Sequence, residues 1–600
     1  MDRNSVSEKY KWNLDVIYKD SKEFDNTCEL VKKEIEEFAG YKDKFMNNGE
    51  LFYECMSLSY KIERTLEKLY CYTSLSFDLD TRNNSIQELK GKVSNLYDYY
   101  NKNSYYFIPT VLKYNYDDIV KFYEEVEDLK KYDIAIKRIF RYKDHTLSSE
   151  NEKLLSMMGK ALGNNYSTYE LFKDAEMSFG KIKDEDGNLV ELNNNNYSIY
   201  IESKDRRVRR EAFLELYRVY KQYTNTYTSL LFSNIKEETV MAKVKKFSSA
   251  REMSAYSDEV TTRVCDNLIE EVHNGLKSIY KYYDLKKDIL GVDELHLYDI
   301  YTPIIQDNEE IYPYDQAVEI VLKALSVFGE EYVKTLREGI NNRWIDVYPS
   351  KAKRTGGYSG GSYDTYPYIL LNYQDRYSDM STLAHEAGHS MHSFYTRSSN
   401  PYEYGDYTIF VAEVASTVNE LILANYMLKN SNSDKEKLSI LGRLMELYKA
   451  TVYRQTMFAE FERDIYDMVE KDVTLTSEML CKKYYELNKL YFGDNVCVDE
   501  EIKYEWERIP HFYYNFYVYK YATGLSAATK IVTDILSGKD KAVENYISFL
   551  KCGRTKSPLE SLKVAGVDLE DKETIKSATR YFDNVIEEFK NIYEKLETKK

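Results

Sequence analysis

The chain has 600 residues, 43% of them hydrophobic, and its 83 Lys+Arg against 100 Asp+Glu leave a formal net charge of -17. That length is enough to bury a large core and predicts two or three packed subdomains. The acidic balance, with no basic patch to override it, excludes nucleic acid and anionic membrane surfaces as partners. The N-terminal segment MDRNSVSEKYKWNLDVIYKD lacks a signal-peptide core, and no run of about 18 apolar residues occurs, so a cytoplasmic protein without a membrane span is expected. The seven cysteines (Cys28, Cys55, Cys71, Cys265, Cys481, Cys497 and Cys552) are scattered and never in CxxC spacing. This argues against a disulfide framework and against a thiolate metal site, leaving reduced, packed thiols. No feature of the sequence sets the oligomeric state.

Taken in chain order, the first hundred residues contain no proline, and segments such as CELVKKEIEEFAGYKDKF and LFYECMSLSYKIERTLEKLYCYTSL carry the apolar spacing of long antiparallel helices. Between 177 and 192 the pattern changes. Short apolar runs flank Asp186-Gly187-Asn188, the signature of a β-hairpin. Helical spacing resumes at RRVRREAFLELYRVYKQYTNTYTSLL, and most prolines fall from Pro303 onward. The expected organisation is an N-terminal helical region over 1–200 that includes the hairpin, followed by a second region over 201–600.

Three of the seven histidines fall within LAHEAGHSMH, Leu383 to His392. Ser378 or Asp379 can cap a helix running through this stretch and ending before Asn400-Pro401. Residues four apart share a helical face, so His385 and His389 can aim two ring nitrogens at one ion, and Glu386 lies beside them where a carboxylate can take a proton from activated water. A third ligand is expected downstream in YTIFVAEVASTVNELILANYML. There Glu413 sits among Phe410, Val411, Ala412, Val414 and Ala415, and an ionised carboxylate in such company needs a cation. Glu420, seven residues on, shares its face and can orient a ligand histidine. His392 competes for the third position, but about 10 Å of helix axis separates it from His385, which ranks it below Glu413 as a group lining the site or a structural histidine.

HEAGHSMH followed by FVAEVASTVNE, and preceded by YPYILLNY, resembles the thimet-oligopeptidase family of zinc peptidases, in particular its oligoendopeptidase F branch. The hairpin segment, RRVRREAF, LYDIYTP and PHFYYNFYVYKYATG extend the resemblance through most of the chain. It implies a mainly α fold: a zinc-peptidase catalytic region with a small β-sheet and an N-terminal helical region, together enclosing a deep substrate channel. It further implies one zinc ion held by His385, His389 and Glu413, Glu386 as the catalytic base, and short peptides as substrates.

Two further stretches make chemical sense beside such a site. In YPYILLNY, residues Tyr368, Ile369, Leu370, Leu371 and Asn372 are expected to bind substrate by pairing with it as an added strand. The glycine-rich RTGGYSGGSY lacks the GK[ST] ending of a phosphate loop and reads as a mobile connection. In PHFYYNFYVYKYATG, His511, Tyr514 and Tyr521 are candidate donors to the oxyanion that peptide hydrolysis creates. The expected reaction is internal cleavage of oligopeptides by metal-activated water. A zinc carboxypeptidase would use the same ligand set, and a catalytically silent peptide-binding protein or a helical scaffold would need none of it.

Overall fold

Apolar spacing turns the first hundred residues into three helices, Ser21–Ala39, Gly49–Leu79 and Asn84–Ser104. Phe24, Val31, Ile35 and Phe38 repeat on one face of the first and are fully buried with Phe52, Ile62, Leu66 and Leu69 of the second. Asp20 and Asn48 start these two helices by accepting the backbone N–H of Glu23 and Leu51. The computed structural model describes residues 2–159, 162–305, 310–431 and 433–598. The chain groups into two units: Met1–Ser149, Glu309–Tyr426 and Asp534–Gly566 form one, and Glu150–Asn308, Met427–Thr533 and Val567–Lys600 the other.

The fold is mainly α, as expected. Among the described residues, seven short strands interrupt the helices: β1 (Lys181–Lys183), β2 (Leu189–Glu191), β3 (Leu295–His296), β4 (Ile345–Asp346), β5 (Tyr358–Gly360), β6 (Tyr368–Leu370) and β7 (Val496–Cys497).

In the first unit β4, β6 and β5 form one sheet in that order, β6 running parallel to β4 and antiparallel to β5. Trp12 locks the N-terminal segment onto this sheet, its indole N–H donating to the carbonyls of Trp344 (2.8 Å) and Ile369 (2.9 Å). Buried Asp346 at the end of β4 is paired with Arg3 (2.6 Å) and with the fully buried Lys353 (2.7 Å). A charge of that depth persists because each partner satisfies the other. The helix Tyr377–Ser399 packs on β5 and β6, and Ser390 ties it down through the Ser359 hydroxyl (2.8 Å) and the Pro367 carbonyl (3.0 Å).

In the second unit β1 and β2 pair antiparallel, Lys181 opposite Glu191. Gly187 takes the positive φ (85°) that the turn demands, and Asp184 accepts the N–H of Asp186 and Asn188. Arg207, at the start of the 39-residue helix Arg206–Val244, donates to the Lys183 and Asp184 carbonyls and so holds the hairpin against that helix. β3 and β7, remote in sequence, make a two-residue parallel bridge.

Candidate metal centre

The helix Tyr377–Ser399 begins two or three residues earlier than a Ser378 or Asp379 cap would place it: Arg376 is the N-cap, and Asp379 reaches back to accept the N–H of Gln374 (3.0 Å) and Arg376 (2.9 Å). It stops just before Asn400-Pro401, as the sequence suggests. His385 and His389 stand on one face with ring centroids 5.0 Å apart. Glu413, from the helix Ile409–Asn430, brings Oε2 to 3.4 Å from His385 Nε2 and 3.6 Å from His389 Nε2. One donor atom from each of the three residues lies within 4.8 Å of the others. These separations exceed an ordinary hydrogen bond. They match the edge of a tetrahedron built on bonds of about 2.1 Å, roughly 3.4 Å, so two imidazoles and a carboxylate here fit a divalent transition metal.

The two helices come this close because of Gly388. A Cβ there would lie 2.5 Å from the Ala415 carbonyl oxygen and 2.6 Å from the Ser416 Cα, backbone atoms that cannot step aside. The expectation that Glu413 is buried among apolar neighbours needs correction. Phe410, Val411, Val414 and Ala415 are buried. The Glu413 side chain turns away from them and is 46% exposed, because these neighbours occupy the packed face of the helix and the carboxylate the open one.

Glu420 accepts at Oε2 from His385 Nδ1 (3.0 Å), and its other oxygen accepts from the Ser381 hydroxyl (3.0 Å). That fixes the His385 ring with Nε2 turned to Glu413. Although burial opposes it, Glu413 and Glu420 raise His385 to about 10. His389 goes the other way, to about 4, lowered first by burial and then by His385. Glu386 is 7% exposed. Burial pushes it up to about 7, against the pull of His385, with a further push from Glu413 and a smaller pull from the Ser359 backbone of β5.

His392 does not join this group. It is 1% exposed, stacked face to face on Tyr407 at 3.7 Å and packed against Phe549, with burial lowering it to about 3. Tyr407 in turn bonds the Ser393 hydroxyl (3.1 Å). The substrate-pairing expectation for Tyr368–Asn372 is also corrected. β6 is the central strand, with Ile369 opposite Ile345 on one side and Ser359 on the other, so it has no edge to offer. Tyr368, Ile369, Leu370 and Leu371 are buried, and the Asn372 amide caps the Arg354 and Gly356 carbonyls. One outer strand is β5, inside the glycine-rich stretch read from sequence as a mobile connection.

In the second unit the structure gathers His511, Tyr514 and Tyr521. His511 Nε2 lies 3.4 Å from the Tyr521 hydroxyl, and its ring makes an edge contact with Tyr514 at 5.4 Å. Burial lowers His511. Tyr514 is 42% exposed and shares a 2.7 Å hydrogen bond with Tyr166. Immediately after it, Asn515 and Phe516 both take positive φ (51° and 61°), strain that only strong anchors sustain. Tyr466 (2.8 Å) and Asn234 (2.8 Å) donate to the Asn515 side-chain oxygen, and fully buried Glu462 accepts the Phe516 N–H (2.8 Å).

A helical protein with a His, His, Glu donor group and an acid buried beside it has the make-up of a metallopeptidase. Comparison places it within one: the profile described as Peptidase family M3 matches residues 199–581 and that described as Oligopeptidase F matches 111–179, and the chain belongs to family M3. It is 41% identical over 595 residues to oligopeptidase PepF of Bacillus subtilis (strain 168), covering 99% of this chain and 89% of the relative. With the oligoendopeptidase F homolog of Lactococcus lactis subsp. lactis the identity is 38% over 99% of both chains. The crystal structure of oligoendopeptidase-F from Enterococcus faecium superposes with a TM-score of 0.75 at 34% identity, covering 96% of this chain and 99% of that one. The protein is a peptide hydrolase whose family implies a metal cofactor.

Proposed function

We propose that this peptidase is a zinc-dependent endopeptidase of the cytoplasm that cuts internal bonds of short oligopeptides. The observation that carries the reading is the convergence of His385, His389 and Glu413 at ion-holding distances beside the buried carboxyl of Glu386. One zinc ion held by these three groups would supply a Lewis acid for the scissile carbonyl and acidify the attacking water to a pKa of about 7. Glu386 takes the proton of that water and returns it to the departing amine. Glu420 and Ser381 keep His385 in register. An extended substrate adds to the outer strand β5, presenting backbone rather than side chains, which suits a peptidase of broad sequence tolerance. His511, Tyr514 and Tyr521 are the donors proposed to meet the developing oxyanion, on a turn that Glu462 and Asn515 hold strained. The family match beginning at residue 199 supports assigning the catalytic region to 201–600, whereas the hairpin expected within the 1–200 region belongs to the second unit, against the helix Arg206–Val244.

Mapping the products of one eight-residue peptide, with and without chelator, tests the reading. Internal cuts that vanish with chelation and return with zinc are expected, whereas release of single C-terminal residues would make the enzyme a carboxypeptidase with the same ligands. The channel implied by the family resemblance is tested separately. Peptides of roughly 6 to 20 residues, extended at about 3.3 Å per residue, should be cut readily. General digestion of denatured casein would contradict a covered channel.

A further inference from the structure

A second group of donors lies in the second unit, with no part in the proposed chemistry. His296 and Cys497 are Cα partners across the parallel bridge of β3 and β7. Directly opposed residues project to the same face of a ladder, and so do residues two apart on one strand. Asp499 follows Cys497 by two, and both His296 and Asp499 have extended backbone. An imidazole, a thiol and a carboxylate therefore converge, with one donor atom of each within 4.8 Å of the others. Glu294 adds negative charge on the other side of the ring, its Oε2 3.7 Å from His296 Nε2.

This group is built on rigid supports. The His296 N–H donates to Asp299 (3.1 Å), and Asp299 is fully buried between Arg206 (2.9 Å) and Arg209 (2.8 Å). The His296 ring stacks on Tyr298 at 4.7 Å. Asp499 accepts the Leu297 N–H with one oxygen (3.0 Å) and turns the other to His296 Nδ1 (2.8 Å). The imidazole and carboxylate are 19% and 15% exposed, so they sit at the surface with little freedom to scatter. Cys497 is the exposed cysteine of the chain; the other six are buried. Burial and the carboxylates of Asp499 and Glu294 hold its thiol above the usual value, and the same negative field attracts a cation.

We infer that His296, Cys497 and Asp499 form a second metal site that takes a thiophilic divalent cation of the zinc class, with water in the fourth position. Mixed nitrogen, sulfur and oxygen donors in fourfold number are what zinc accepts, and the thiolate discriminates against calcium and magnesium. As the sulfur–metal bond forms, Cys497 releases its proton to solvent. The bound ion would staple β7 to β3, and β7 runs through Asp499 into the segment Glu500–Arg508 that leads to His511. Its role is thus to brace the base of that segment.

Cobalt(II) distinguishes this site from the His385 group, which contains no sulfur. With the full-length protein first loaded with one equivalent of zinc, a cobalt titration should produce the intense near-ultraviolet thiolate-to-cobalt band. Zinc or cadmium should also protect Cys497 from iodoacetamide. Both signals should disappear in Cys497→Ser, and His296→Ala should weaken binding at least tenfold, while the Cys497→Ser protein still retains the one equivalent of zinc held by the His385 group. Absence of the band and of protection in the wild type would mean that His296 and Asp499 form only an ion pair, and would overturn the assignment. So would a band that survives in Cys497→Ser, since another cysteine would then be the ligand.

Discussion

The two donor groups of this molecule are built on opposite local geometries. His385 and His389 come together because four residues make one turn of helix, and a second helix brings Glu413 to them. His296, Cys497 and Asp499 come together because a strand repeats every two residues and two strands 201 positions apart lie side by side. The helical group depends on a close helix–helix approach and has the buried carboxyl of Glu386 beside it. The strand group has rigid supports, and the buried acid beside it, Asp299, is taken up by Arg206 and Arg209. Ligand type alone therefore does not set the proposed chemistry; a buried carboxyl raised by its surroundings, as Glu386 is, sets the helical group apart.

That contrast can be broken most forcefully at the third ligand. Glu413→Ala should strip the catalytic metal and abolish peptide cleavage, whereas His392→Ala, which removes a stacked interior ring, should leave metal content near one equivalent. Metal analysis of the two purified variants decides it, and the reverse pattern would show that His392 is the ligand. Next in size is Gly388→Ala. A Cβ at 2.5 Å from the Ala415 carbonyl must push the helices apart. Metal affinity should fall by more than tenfold as judged by competition with a chelator, and the cobalt–thiolate band of the strand group should be unaffected. Smaller still is Glu420→Gln. It keeps a hydrogen-bond acceptor for His385 but removes the charge, and the loss of zinc affinity should lie toward the lower end of the roughly 10- to 100-fold typical of such supporting groups. An unchanged affinity would reduce Glu420 to a packing role.

Much of the helical group was legible in the sequence because its logic is local. The i, i+4 spacing of His385 and His389, the position of Glu386 and the stop before Asn400-Pro401 all lie within one helix, and the periodicity that places them can be read by eye. Glu413 and Glu420 were legible as a pair seven apart on a second helix. Their burial was not, since which face of that helix packs is decided by partners far away in sequence. The same limit explains the misread strand. β6 looks like an edge in isolation, and it becomes central only through β4, a two-residue strand centred on Ile345 with no alternation to announce it. Gly388 carries no pattern at all; its role appears only when the Ala415 backbone is placed against it. Cys497 shows the limit most sharply. Cysteine spacing along the chain argues against a thiolate site, because the donors facing that cysteine are contributed by β3 and not by another cysteine.

Glu386 carries the proposed mechanism. It is placed beside the ligands yet donates no ligand atom to the group, so removing its charge should separate chemistry from metal binding. The direct test is to measure zinc content and peptide turnover together in Glu386→Gln. The expected result is wild-type zinc and an unchanged melting temperature, with kcat reduced by about 10² to 10⁴ or more. A zinc-loaded Glu386→Gln protein that cleaves peptides at near wild-type rate would contradict the assignment of Glu386 as the base, and with it the mechanism proposed for this site.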